Sequence, residues 1–117
     1  LETYPVLAII AMAWTLPDSR PSGRLPRYNP QRRRTFQLPD WAHICRATAS
    51  RLAATGATGL DQWIAELAAF AQAPRKGHQD QLDACICLSV GLELAAGCDG
   101  LFVGDVETGY MVVPYSL

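Results

Sequence analysis

Two carboxylates three residues apart, Asp80 and Asp83, stand near the start of the longest periodic stretch of this 117-residue sequence. At helical spacing both project from one face and create a local anionic site. Like charges this close repel by about 0.2–0.5 kcal/mol even in solvent. A divalent cation would offset that repulsion, and so would the positive end of the helix dipole. Spacing alone leaves both readings open, because acidic residues are common in a first helical turn.

A second group carries the opposite charge. Arg20, Arg24, Arg27, Arg32, Arg33 and Arg34 all fall within residues 16–39, together with Tyr28 and Phe36. Guanidinium groups donate to phosphate oxygens and aromatic faces stack on bases. Arg24, Arg27, Tyr28, Arg32, Arg33 and Arg34 are therefore candidate nucleic-acid-binding residues. The alternative is a solvated loop whose arginines pair with the acidic side chains of the C-terminal half. His78, just ahead of the acidic helix, titrates near neutrality and could orient water or a ligand; its other reading is a structural role where the helix begins. His43, beside Trp41, is expected to be partly buried, and Trp14, Trp41 and Trp63 read as packing residues.

The elements that must position these groups follow from periodicity and breakers. Pro5 suits the first turn of a helix running to about Trp14. Residues 16–39 hold five prolines and six arginines, which predicts a long exposed loop. Asp40 is a candidate N-cap for a helix from about Trp41 to Ala54. After Gly56-Ala57-Thr58-Gly59, the spacing of Leu60, Ile64, Leu67 and Ala71 predicts a second helix ending before Pro74, antiparallel to the first. The acidic helix spans about Gln79 to Ala96 and ends at Gly97. Leu101–Val106 and Tyr110–Val113, rich in β-branched and aromatic residues, predict a terminal hairpin.

Composition narrows the class. Half of the residues are apolar and 18% charged, as a single compact domain requires and a disordered chain does not. The net charge of −1 hides a division: eight basic and three acidic side chains up to Leu60, then two basic and eight acidic. A basic half suits polyanionic partners and an acidic half suits divalent cations. Cys45, Cys85, Cys87 and Cys98 match no structural zinc spacing and read as buried thiols of a reducing compartment. The longest apolar run, Val6 to Trp14, falls well short of the roughly 20 residues that span a bilayer. No membrane partner and a cytoplasmic location are expected. No nucleophile elbow, phosphate-binding glycine loop or dinucleotide fingerprint is present.

Three ordered segments carry a family resemblance: Glu2-Thr3-Tyr4-Pro5, then His78-Gln79-Asp80-Gln81-Leu82-Asp83-Ala84-Cys85-Ile86-Cys87, then the ending from Gly104-Asp105-Val106-Glu107-Thr108-Gly109 to Pro114. Together they resemble a predicted ribonuclease-H-like nuclease family, domain of unknown function 429. Leu25-Pro26-Arg27-Tyr28-Asn29-Pro30 is similar to one branch of it. The Asp-x-x-Asp-Ala pattern is more distantly similar to the last helix of Holliday-junction resolvases. The resemblance implies that Glu2, Asp80 and Asp83 are catalytic carboxylates holding Mg²⁺ or Mn²⁺ for phosphodiester hydrolysis. By itself, Glu2 also reads as a terminal exposed charge.

Residues 1–117 are thus expected to form one partial domain. The fold class is α+β, the C-terminal portion of a ribonuclease-H-like domain, mainly helical with a C-terminal β-hairpin. The strand that carries the family's central aspartate has no counterpart in the sequence, so the chain as given is expected to lack appreciable nuclease activity. Its uncovered apolar faces are expected to drive self-association or to take a second chain. The function expected is that of a metal-dependent nuclease or phosphodiester hydrolase. The alternative is a non-catalytic nucleic-acid or protein-binding module.

Overall fold

The structure, a computed structural model, describes residues 5–20, 23–57, 59–97, 100–105 and 109–114, with side chains through 97 except at 61. Four helices carry the described fold: α1 (Pro5–Ala11), α2 (Leu38–Ala54), α3 (Leu60–Ala68) and α4 (Lys76–Ala95). Two backbone segments, β1 (Gly100–Asp105) and β2 (Gly109–Pro114), pair with each other, antiparallel, from Gly100 opposite Pro114 to Asp105 opposite Gly109, and with no other strand among the described residues. The expected α+β, ribonuclease-H-like architecture is therefore corrected. The described fold is mainly helical, and two paired strands fall short of the sheet that such an architecture is built on. The described core is made by the helices.

The helix boundaries differ from the sequence reading for local reasons. α1 ends at Ala11 rather than near Trp14, because Ala13 takes the left-handed conformation (φ 58°). Its N–H reaches the Ile10 carbonyl (3.1 Å) and the Trp14 N–H reaches that of Ile9 (3.0 Å), closing the helix in a Schellman arrangement. α2 begins a turn earlier than expected, since Pro39 is tolerated where helical N–H groups have no partner. Asp40 is then inside the first turn rather than the N-cap. α3 stops at Ala68, several residues short of Pro74. α4 also starts early, at Lys76, where the His78 ring accepts the backbone N–H of Arg75 (3.1 Å). His78 thus has the structural role at the start of the helix.

The core is made where α2, α3 and α4 present their periodic faces. Trp41, Ile44, Cys45 and Leu52 of α2 meet Ile64 and Leu67 of α3, while Leu82, Ile86 and Val90 of α4 complete the interior with Ala8 and Ile9 of α1. Trp41 is fully buried, and its indole N–H donates to the Leu67 carbonyl at 2.9 Å. That bond satisfies the one polar atom of a side chain otherwise chosen for its apolar area. His43 is half-buried, with its ring nitrogen 3.1 Å from the Trp14 carbonyl, tying α2 to the end of α1. Cys45 and Cys85 are buried, and burial pushes the Cys45 thiol up to about 12. Both behave as small apolar residues. Among the described residues no helix is long and apolar enough to cross a membrane.

α2 and α4 are joined at their far ends by a charged clamp. Glu93 is buried in the last turn of α4, where a carboxylate meets the negative end of the dipole. Arg51, in the last turn of α2, offsets this with two donors: Nε to Oε1 and a second N–H to Oε2 at 3.1 Å. Arg51→Ala leaves that carboxylate buried without its partner and is expected to lower unfolding free energy by about 3 kcal/mol. Replacing the pair together, Arg51→Met with Glu93→Leu, is expected to restore most of the loss in chemical denaturation. Equal losses in the single and double variants would contradict this.

Candidate functional site

The described residues of 16–37 form no helix or strand beyond one isolated bridge and many are exposed, as their composition predicts, but the segment is folded back and tied down. Leu16 and Arg24 exchange backbone hydrogen bonds (2.9 and 2.8 Å), which closes the first part of the segment on itself. The second part is tied to the helices through Asp40, whose side chain is only 6% exposed. Its carboxylate accepts two N–H groups from the Arg24 guanidinium (2.7 and 3.2 Å) and the backbone N–H of Arg27 (2.8 Å). Burial raises the proton affinity of Asp40, but these donors outweigh it and hold the carboxyl below its ordinary range. Its share of stability is therefore present above the ordinary carboxylate value and lost as pH falls through the lowered one.

Once the segment is folded back, Tyr28 enters the core. Its ring is 7% exposed and its hydroxyl donates to Asp83 Oδ1 at 2.8 Å. Tyr28 therefore exposes little of its surface for a base to stack on. A groove of about 780 Å³ opens above this contact. It is lined by Arg20, Arg24, Arg27 and Arg32, by Asp83 and Gln79 of α4, and by Pro5, Val6 and Ile10 of α1, among others. Arg27 and Arg32 are exposed and form no ion pair with a described carboxylate, whereas Arg20 is held by Asp18 at 3.2 Å. Arg33 borders a second cleft, and Arg34 is exposed and borders neither.

The two carboxylates of α4 part company here. Asp80 is exposed and bonded to Lys76 one turn earlier at 2.9 Å. Asp83 is half-buried at the groove floor. Burial pushes its carboxyl above the ordinary range, and the nearby charge of Asp80 adds to the push; the Tyr28 hydroxyl and Lys76 oppose it without prevailing. Because α4 starts at Lys76, both residues sit beyond the first turn, and the dipole compensates them less than the sequence reading assumed. Glu2, the third expected ligand, lies outside the described residues. Among the described residues no group of three metal-ligating side chains gathers. A single groove-facing carboxylate bordered by guanidinium groups does not fit Mg²⁺ or Mn²⁺ without further oxygen ligands.

Sequence reasoning missed the groove's pairing of a half-buried carboxyl with a tyrosine. It also missed Arg75 and Lys76, which face Arg33 and Phe36 across the second cleft. Only the fold-back of the loop brings these together, and no local pattern announces it. Comparison with protein-family models, curated proteins and solved structures gives no match for this chain.

The environment of Asp83 has a measurable signature. Its side-chain carboxyl carbon should titrate in NMR with a midpoint above the ordinary value of about 3.9. In Tyr28→Phe, which deletes the hydroxyl that favours the anion, the midpoint should move higher still. The raised value also makes ionised Asp83 a cost: stability falls as pH rises from the ordinary to the raised value. Asp83→Asn, which keeps an acceptor for Tyr28, is thus expected to gain stability relative to wild type as pH rises from about 4 to 7. A midpoint at or below the ordinary value would refute this.

Proposed function

We propose that this chain binds nucleic acid, gripping the phosphodiester backbone in the groove bordered by Arg20, Arg24, Arg27 and Arg32. One observation carries the proposal: four of the six arginines of a long sequence segment border one concavity, and two of them, Arg27 and Arg32, are exposed there. Phosphate oxygens are the partners that guanidinium forks match in geometry and charge. Arg24, engaged by buried Asp40, serves mainly to position the segment. The order of motifs that resembles a predicted nuclease family supports the same class of partner. Free thiols at Cys45, Cys85 and Cys87 suit the reducing cytoplasm, where that partner is met.

Metal-dependent phosphodiester hydrolysis is a second reading, favoured by Asp83 sharing the groove with the arginines and with Pro5. It calls on Glu2, three residues ahead of Pro5 in the chain, to supply further oxygen. Titration with Mn²⁺ separates the two readings: selective broadening of amide signals around Asp83, abolished in Asp83→Asn, supports the hydrolytic one. Unaffected signals leave binding alone. Self-association has less to rest on, since the large exposed apolar side chains among the described residues are Ile10, Leu25 and Leu88.

Binding through the groove predicts a steep salt dependence. Removing one phosphate-binding charge makes the slope of log K against log salt shallower by about 0.7–0.9. The double variant Arg27→Ala, Arg32→Ala is expected to bind a labelled oligonucleotide at least roughly tenfold more weakly, with a slope shallower by about 1.5. An affinity that ignores salt, or a double variant indistinguishable from wild type, would rule the groove out.

A further inference from the structure

The turn that separates the groove from the second cleft carries more information than either cavity alone. Within residues 29–36 the Arg32 N–H reaches the Asn29 carbonyl (3.1 Å) and the Thr35 N–H reaches that of Arg32 (3.0 Å). The Phe36 N–H also reaches the Arg32 carbonyl (2.8 Å), so two successive turns carry the segment between the two cavities. Asn29, Arg32 and Thr35 face the groove, and Pro30, Arg33 and Phe36 face the other side. The segment is a ridge with a cationic side chain on each slope.

The far slope descends into a cleft of about 530 Å³, closed opposite by Pro74, Arg75 and Lys76 at the start of α4. Among the described residues its lining holds no carboxylate. Pro30, half-buried Phe36 and buried Pro74 supply apolar walls, and Arg33, Arg75 and Lys76 supply three positive charges, with Lys76 also bonded to Asp80. An apolar slot rimmed by cations matches a planar base joined to a phosphate. A base inside a duplex is stacked and paired and cannot enter such a slot; an unpaired base can.

We propose that this cleft is a nucleotide-base site and that the chain takes single-stranded nucleic acid, which crosses the ridge. One base lies on Phe36 between Pro30 and Pro74, its phosphate reaches Arg33 and Arg75, and the backbone continues over Arg32 into the groove. This rests on the nucleic-acid reading and adds to it the strandedness of the partner and a second set of contacts.

Fluorescence anisotropy with a labelled single strand, the same strand carrying abasic sites, and its duplex tests the proposal on the full chain. The intact single strand is expected to bind roughly tenfold or more tightly than either of the others, the scale of one base stacked on an aromatic ring. Phe36→Leu, which keeps apolar volume but removes the stacking face, and Arg33→Ala with Arg75→Ala, both on exposed groups, are each expected to erase most of that preference and to leave duplex binding little changed. Equal affinity for all three oligonucleotides overturns the base site while leaving the groove in place. Absence of binding to any of them overturns both.

Discussion

A single buried carboxylate ties the arginine-rich segment that borders the groove to the helices. Asp40, in the first turn of α2, accepts both donors of the Arg24 guanidinium and the backbone N–H of Arg27. It thereby pins the middle of a proline- and arginine-rich segment that has no helix or sheet of its own to order it. The Gln37 N–H closes the same region onto the Arg27 carbonyl at 2.8 Å. With those bonds in place the next residue, Tyr28, is carried into the core and onto Asp83. An ordered segment of this kind loses much conformational entropy, and a carboxylate desolvated among several donors is among the few local contacts strong enough to offset it.

The charge division of the sequence takes an unforeseen form in three dimensions. Loop arginines do not pair chiefly with the acidic C-terminal half. Arg20 and Arg24 find Asp18 and Asp40 within their own half, and the only described long-range pair between the halves is Arg51 with Glu93. Arg27, Arg32 and Arg33 are left exposed on the two slopes of one ridge. Asp83, which borders the same groove, is bound to a tyrosine, and burial raises its proton affinity. The surface that results is cationic where it is concave.

How much of this could be read beforehand depends on the range of the forces involved. The existence of four helical stretches was legible, because apolar residues at 41, 44, 45 and 52 or at 82, 86 and 90 announce a buried face directly. The starts of α1 and α3 at Pro5 and Leu60 were legible too, but those of the other two were not: His78 bonding back to Arg75, and Pro39 accepted within the first turn, moved α4 and α2 earlier than the periodic residues suggested. The α+β expectation failed because strand propensity near the C-terminus does not say how many strands will join, and two do not make a layer. At the site, Arg24, Arg27, Arg32 and Asp83 were visible by type, but their grouping was not. It depends on Asp40 and Tyr28 meeting partners 16 and 55 residues away, and separations of that size leave no local pattern.

Amide hydrogen exchange in wild type and Asp40→Ala tests most directly whether this carboxylate organises the arginine segment. The Arg27 and Gln37 amides are expected to lose protection by roughly tenfold or more in the variant, while amides within α2, such as those of Thr48 and Leu52, keep theirs as parts of a separately stabilised core. Unchanged protection at Arg27 and Gln37 would mean that the segment is ordered by something else, and the groove with it.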